Sequence, residues 1–398
     1  MNSVQKFTAY AVLFLSATAV PVAAEPHPIS ETINNEGLAA AERQLAQQTD
    51  LDASERFALG GVRFLRGIEN ATQQMWRYQI QPKASSIPLL RLPIPKNYEP
   101  EPFKPEQIAD LFKQALKDME AADQQLAAIQ DADEVSFTVS LDHIWFDVNA
   151  NGQRDQREGL LSFLGMFGRQ IEGQDQDPII TFDTSDAAWL AAYANLISAS
   201  SHAVLAFDPS EPIARINAAE DKIRAATGEI PANFIERPTL NYFAIVIQSI
   251  EQQPDRNSIA SVERHLRAML AHNKIFWTRV AAETDDANEW IPSDRQTSAL
   301  GLVFPKGLGE TWLAVLSDIE KVLDGDLLIP HPLLGRNGGI NLAKYFADPS
   351  PIDVSAWLHG HGVVTYLDNG ELISGRSWEA FQRLVSRRDA MQYAMILN

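Results

Sequence analysis

Seven prolines fall between residues 82 and 105, at positions 82, 88, 93, 95, 100, 102 and 105. Proline has no backbone N–H and its φ is locked near −65°, so neither a helix interior nor a central strand runs through such a stretch. The segment reads as an extended linker or a strap laid over the body. It divides the chain into a leader at 1–24, an N-terminal helix pair at 25–81, the Pro-rich segment 82–104 and a main helical body at 105–398.

Helical spacing dominates on both sides of this divide. Asp52 and Glu55 form a capping pair, after which Ala58, Val62, Leu65, Ile68, Ala71 and Met75 recur on one face, and residues 38–45 supply its partner helix. Pro105 suits the first turn of a helix carrying Ile108, Leu111, Phe112, Ala115, Met119, Leu126 and Ile129 on one stripe. Asp183 with Asp186, and Asp208 with Glu211, have the spacing of helix starts. Residues 187–207 are apolar enough to raise a membrane question, but Asn195, Ser198, Ser200, Ser201 and His202 interrupt them and acids flank them, which favours a buried core helix. Further helices are predicted near 211–226, 239–251, 258–282 and 310–323. Strand periodicity is confined to 135–146 and to a C-terminal β-hairpin, in which VVTYL and ELI flank Asp368-Asn369-Gly370. A final helix with Phe381, Leu384, Val385 and Met395 inward closes the chain. The expected class is mainly α (α+β), a multi-helix globular body with a few short strands.

Residues 1–24 carry Lys6, an apolar run from Ala9 to Val20, and Val22, Ala23 and Ala24 before Glu25, the pattern of a secretory signal cleaved after Ala24. The expected location is therefore periplasmic or secreted. The run is too short for a transmembrane span, and none is expected in the mature chain. With no cysteine, disulfides, thiolate chemistry and a lipidated cleavage site are excluded. The net charge of −19 argues against nucleic acid and anionic membranes as partners, and leaves a protein or small-molecule ligand of unidentified chemistry.

The one chemically specific segment is DVNANGQRDQRE at 147–158. Calcium takes six to eight oxygen ligands, which a twelve-residue loop supplies from positions 1, 3, 5, 7, 9 and 12 with a sharp turn at position 6. Those positions hold Asp147, Asn149, Asn151, Gln153 (through its carbonyl), Asp155 and Glu158, and Gly152 stands at the turn. Such a coincidence is expected in roughly one chain in a thousand of this length at average residue usage. The competing reading is a metal-free turn, since Asp, Asn and Gly favour turns on their own.

The loop resembles the EF-hand family over about a dozen residues, its calcium-ligating segment and exit. The resemblance stops there, because the entering segment has strand rather than helix periodicity. Position 8, usually apolar so that two loops pair, is Arg154, and no second loop of the pattern occurs. With three carboxylates, two amides and Arg154 and Arg157 nearby, the expected affinity is modest and the expected role structural rather than switching.

A second cluster is C-terminal: His331, the turn 336–339, Asp353, and His359 and His361, two alternating histidines expected to point the same way from an extended segment. It would suit a periplasmic metal-dependent hydrolase. His265 and His272, seven apart on one helix, are separated by roughly 10 Å along its axis. His202 reads as a core histidine, and His143 as packing or capping before the loop. The serine-hydrolase elbow, paired-histidine zinc helix, phosphate loop and dinucleotide glycine fingerprint are absent. The leading expectation is an exported calcium-binding protein with a role in binding or scaffolding in the cell envelope rather than in catalysis.

Overall fold

The computed structural model describes residues 26–81, 87–162, 178–228, 237–335, 338–387 and 390–397. The leader at 1–24, Arg336, Asn337 and the Met395 side chain lie outside them. The class is mainly α, a multi-helix body with short strands.

Three helices open the described chain: α1 (Pro28–Glu36), α2 (Leu38–Ala46) and α3 (Ala53–Arg77). The capping box of α3 is present in full, with the Glu55 N–H donating to Asp52 Oδ1 (2.8 Å) and the Asp52 N–H to Glu55 Oε2 (3.1 Å). The strap follows: Leu89 and Leu90 are buried, and Asn97 is tied to the end of α3 through Gln79 Oε1 and the Trp76 carbonyl. Next comes α4 (Glu106–Leu126), which buries the stripe predicted for it against α3. Two glycines of α3 make this approach close. A Cβ at Gly60 would sit 2.6 Å from Leu126 Cγ, and one at Gly67 would meet Met119 Cε.

The rest of the bundle forms around α5 (Thr184–Ala206), whose alanines 187, 188, 191, 192, 194 and 199 are buried between α4 and α8 (Arg256–Ala282). Two of the serines that interrupt the apolar run are satisfied within the helix: Ser200 and Ser201 donate to the Leu196 and Ile197 carbonyls. Among the described residues no single helix is long and apolar enough to cross a membrane. Only α5 together with α6 (Ser210–Thr227), bent by 59° at the break, meets that length and composition. Helix α7 (Arg237–Ile250) lies against α6, while α9 (Leu308–Asp324), α12 (Arg376–Val385) and α13 (Ala390–Leu397) build a second apolar cluster on α8.

Strand β1 (Ser136–Ser140) pairs antiparallel with β2 (Ile179–Asp183), from Ser136↔Asp183 to Ser140↔Ile179. It is shorter than the strand predicted at 135–146. The Leu141 N–H donates to the carbonyl of Pro178, which has no N–H to continue the ladder, and a 3₁₀ turn at Leu141–His143 follows.

The C-terminal hairpin does not form. Strand β5 (Leu367–Asn369) pairs antiparallel with β4 (Gly338–Ile340), whereas β6 (Glu371–Leu372) pairs parallel with β3 (Leu327–Leu328). The residues read as its first arm are a 3₁₀ helix, His361–Tyr366. A 3₁₀ helix aligns residues i and i+3, and Val363 and Tyr366 are the ones buried while Val364 is exposed. The aromatic cage of Trp357 and of Tyr345, on α10 (Leu342–Ala347), around Tyr366 rewards that spacing over strand alternation.

Replacing Gly60 by Val drives two methyl groups into the α3–α4 contact and lowers stability by about 2 kcal/mol. Denaturant unfolding measures this, and an unchanged midpoint would show that the two helices separate without cost.

Candidate metal centre

The loop at 147–158 is carried by structure on three sides. Trp145 bridges Gly159 antiparallel, closing the neck, and the Trp145 indole N–H donates to the Ile33 carbonyl (2.8 Å), fixing the neck to α1. The Phe146 and Leu160 N–H groups donate to the Glu158 and Ile144 carbonyls. Residues 160–162 then begin a helical turn. From α3, Glu69 Oε2 accepts the Asp147 N–H (2.9 Å) and Gln73 Nε2 donates to the Asp147 carbonyl (2.7 Å). Glu69 is 2 % exposed and pairs with Arg66; burial still raises its carboxyl above the ordinary range. It lies one residue off the apolar position Ile68, and this acid within a buried helix face is the sequence signal that could have identified the anchor.

In the first half of the loop, Asp147, Asn149 and Asn151 turn toward the backbone that follows them. Asp147 accepts from the N–H groups of Asn151 and Gly152 (both 2.9 Å), Asn149 Oδ1 from Asn151 (3.0 Å), and Asn151 Oδ1 from Gln153 (2.7 Å). Ala150 and Gly152 take left-handed φ values of 56° and 72°, which closes the turn where the glycine was expected. Asp155 Oδ2 receives the Asn149 amide (2.7 Å), and the Asn151 amide lies 3.4 Å away.

At position 12, Glu158 is 3 % exposed, and its two oxygens accept from the Val148 and Asp155 N–H groups, each at 2.8 Å. Burial raises its carboxyl, and the charges of Asp155 and Asp147 raise it further. Arg154 does not neutralise this set. Its guanidinium turns outward to Asp142 (3.2 Å) and Asn34 (3.4 Å). Asp147, Asn149, Asn151, Gln153, Asp155 and Glu158 thus lie on one loop with no cationic side chain among them, but the oxygens of Asp147, Asp155 and Glu158 do not all come within 4.8 Å of one another and are taken up by backbone N–H and amide donors.

The C-terminal residues are engaged differently. Asp353 caps the helix α11 (Val354–His359), accepting from the Ala356 N–H at 2.9 Å, and His331 Nε2 lies 2.9 Å from the Trp357 carbonyl. His359 ends that helix and His361 opens the 3₁₀ helix, with the left-handed Gly360 between them, so the segment is not extended. Their Nδ1 atoms lie 3.1 Å apart on the surface. Among the described residues these four are not a set whose ligand atoms converge. His143 bonds the Ser30 hydroxyl (2.9 Å), and His272 lies 3.8 Å from Asp123.

A carboxylate cluster that sequence spacing does not foreshadow joins β2 and the start of α5 to residues 283–289. Asp183, Glu283 and Glu289 bring oxygens within 4.8 Å of one another, and Asp186 caps back onto the Asp183 N–H (3.0 Å). Ser185 and Gln296 donate to Glu283, and the Ala287 N–H to Glu289 (3.0 Å). Burial pushes Glu289 up to about 7, assisted by the charges of Glu283, Asp183 and Asp285. Burial also raises Glu283, and it holds Asp186 well above the ordinary carboxylate range.

Comparison with protein-family models, with curated proteins and with solved structures finds no match to this chain.

A carboxyl that binds its proton more tightly in the folded chain stabilises the fold below its unfolded pKa and loses that contribution as pH rises through the folded value. For Glu289 this window runs from 4.5 to about 7. Glu289→Gln is therefore expected to raise stability near pH 8 by about 2 kcal/mol and to change it little near pH 5. Urea unfolding at the two pH values tests this, and an equal effect at both would contradict it.

Proposed function

We propose that this is an exported calcium-binding protein in which a single ion at 147–158 rigidifies the junction between β1 and the helical turn after Glu158, and that the protein serves binding or scaffolding in the cell envelope. Asp147, Asn149, Asn151, Asp155 and Glu158 supply side-chain oxygens, and Gln153 its carbonyl. The observation that carries this reading is the buried Glu158 carboxylate, which faces the charges of Asp147 and Asp155 with only amide donors to offset them. A divalent cation relieves that repulsion, and it replaces the Asn149 and Asn151 amide groups as the partner of Asp155. Export rests on the leader pattern of residues 1–24.

The anchor from Glu69 and Gln73 makes the ion structural on this reading. Ordering the loop also orders its attachment to α3, and the gain appears as stability of the whole bundle. With free calcium a hundredfold above the dissociation constant, linkage supplies about 2.7 kcal/mol. Thermal unfolding in EDTA and in millimolar calcium is the test. The midpoint rises with calcium in the native chain, and neither Asp147→Ala nor Glu158→Gln shows that rise. A calcium-independent midpoint overturns the proposal.

A cavity supports the binding role. It measures about 820 Å³ and lies between the strap and helices α5 to α7, lined mainly by apolar side chains such as Ile80, Leu90, Phe207, Ile213 and Tyr242. That size and lining suit a neutral, mostly apolar small molecule. Ala203→Trp projects an indole into the cavity and blocks part of it, and uptake of an apolar fluorescent probe is expected to fall about tenfold. Equal uptake by both proteins would place probe binding elsewhere.

A further inference from the structure

We propose a second metal site, formed by Glu120 of α4, His202 of α5 and His265 of α8, which takes a divalent transition ion of the zinc class. One ligand atom from each residue lies within 4.8 Å of the other two. Around an ion with bonds near 2 Å, tetrahedral ligand atoms lie about 3.3 Å apart. The long side chain of Glu120, exposed at the edge of the site, can supply that contraction.

His265 is oriented as a ligand by its neighbour. The Asn195 amide nitrogen donates to Asp123 Oδ1 (2.9 Å) and to the Ala191 carbonyl (3.0 Å), so its oxygen faces His265 Nδ1 at 2.8 Å. That oxygen can only accept, which puts the ring proton on Nδ1 and leaves the lone pair on Nε2. A hydrogen bond to the distal ring nitrogen is how proteins set the tautomer and direction of a ligating histidine.

His202 provides an independent observation. Its ring stacks on His265 with centroids 5.4 Å apart and planes at 21°, and both its nitrogens are buried without a hydrogen-bond partner. A buried polar group without a partner is costly and needs an explanation. A metal ion supplies one.

Arg264 is the competitor. Its Nη2 lies 3.2 Å from His265 Nε2, where the ion would bind, but the residue is exposed and can swing away. Two imidazoles and one carboxylate suit zinc and neighbouring ions better than calcium, which prefers oxygen. The exposed edge at Glu120 leaves a coordination position for water. This site is separate from the loop at 147–158 and shares no residue with it.

The test is zinc titration of the full chain by calorimetry in millimolar calcium, with cobalt as the spectroscopic probe. One zinc per chain is expected, with cobalt giving visible bands of a nitrogen-ligated ion. His202→Ala and His265→Gln should each weaken zinc binding at least about a hundredfold, and Asn195→Ala about tenfold through the tautomer. Arg264→Ala, a surface change that leaves all three ligands in place, should tighten it, while Asp147→Ala should leave it unchanged. If neither the native chain nor Arg264→Ala binds zinc, or if His202→Ala binds as the native chain does, the site is overturned.

Discussion

Asn195 is the point on which the bundle turns. Its single amide reaches Asp123 on α4 and His265 on α8 while remaining bonded to the Ala191 carbonyl of its own helix. Every polar atom of the group has a partner, so a side chain that is costly to bury unpaired instead fixes the register of three helices. The alanines on either side of it let those helices approach closely, and the polar residues then decide how they align. Apolar packing alone tolerates many such alignments, whereas one fully satisfied amide does not.

The same geometry positions the loop. Helix α3 is pressed onto α4 through Gly60 and Gly67, and from the resulting fixed helix Glu69 and Gln73 reach the backbone of Asp147. The loop is therefore an outgrowth of the packed body and not a loose connection. The chain reaches it from β1 through the 3₁₀ turn at Leu141–His143, and the Trp145–Gly159 bridge and the indole bond to α1 hold that entry. Arg154 turns away from the loop carboxylates and is committed to Asp142.

Acidity has two different physical expressions in this molecule. Most carboxylates are solvated or paired, but those around Glu289 and Asp186 are gathered in partly buried space with amide and hydroxyl donors for company. Burial raises the carboxyls of Glu289, Glu283 and Asp186 at the junction of β2 and α5. The loop carboxylates are held apart by intervening amides and closed over a turn. Similar residue types are thus gathered in partly buried space at one place and spread along a polar turn at the other.

Local chemistry was legible from residue order. The capping box of α3, the stripe of α4, the N-cap at Asp183 and the loop with its turn at Gly152 depend on residues within a few positions of one another, and the sequence alone determined them. What depended on distant partners was not readable. Strand β1 ends early because Pro178 terminates its partner. The segment 361–366 coils because Tyr345 and Trp357 enclose Tyr366, and β5 and β6 part company because β4 and β3 offer separate edges. In the same way, Glu120, His202 and His265 are ordinary residues of three helices until tertiary packing brings them together. Helix periodicity specifies which face is buried, but the angle and register between faces are set only when side chains such as Asn195 find their partners.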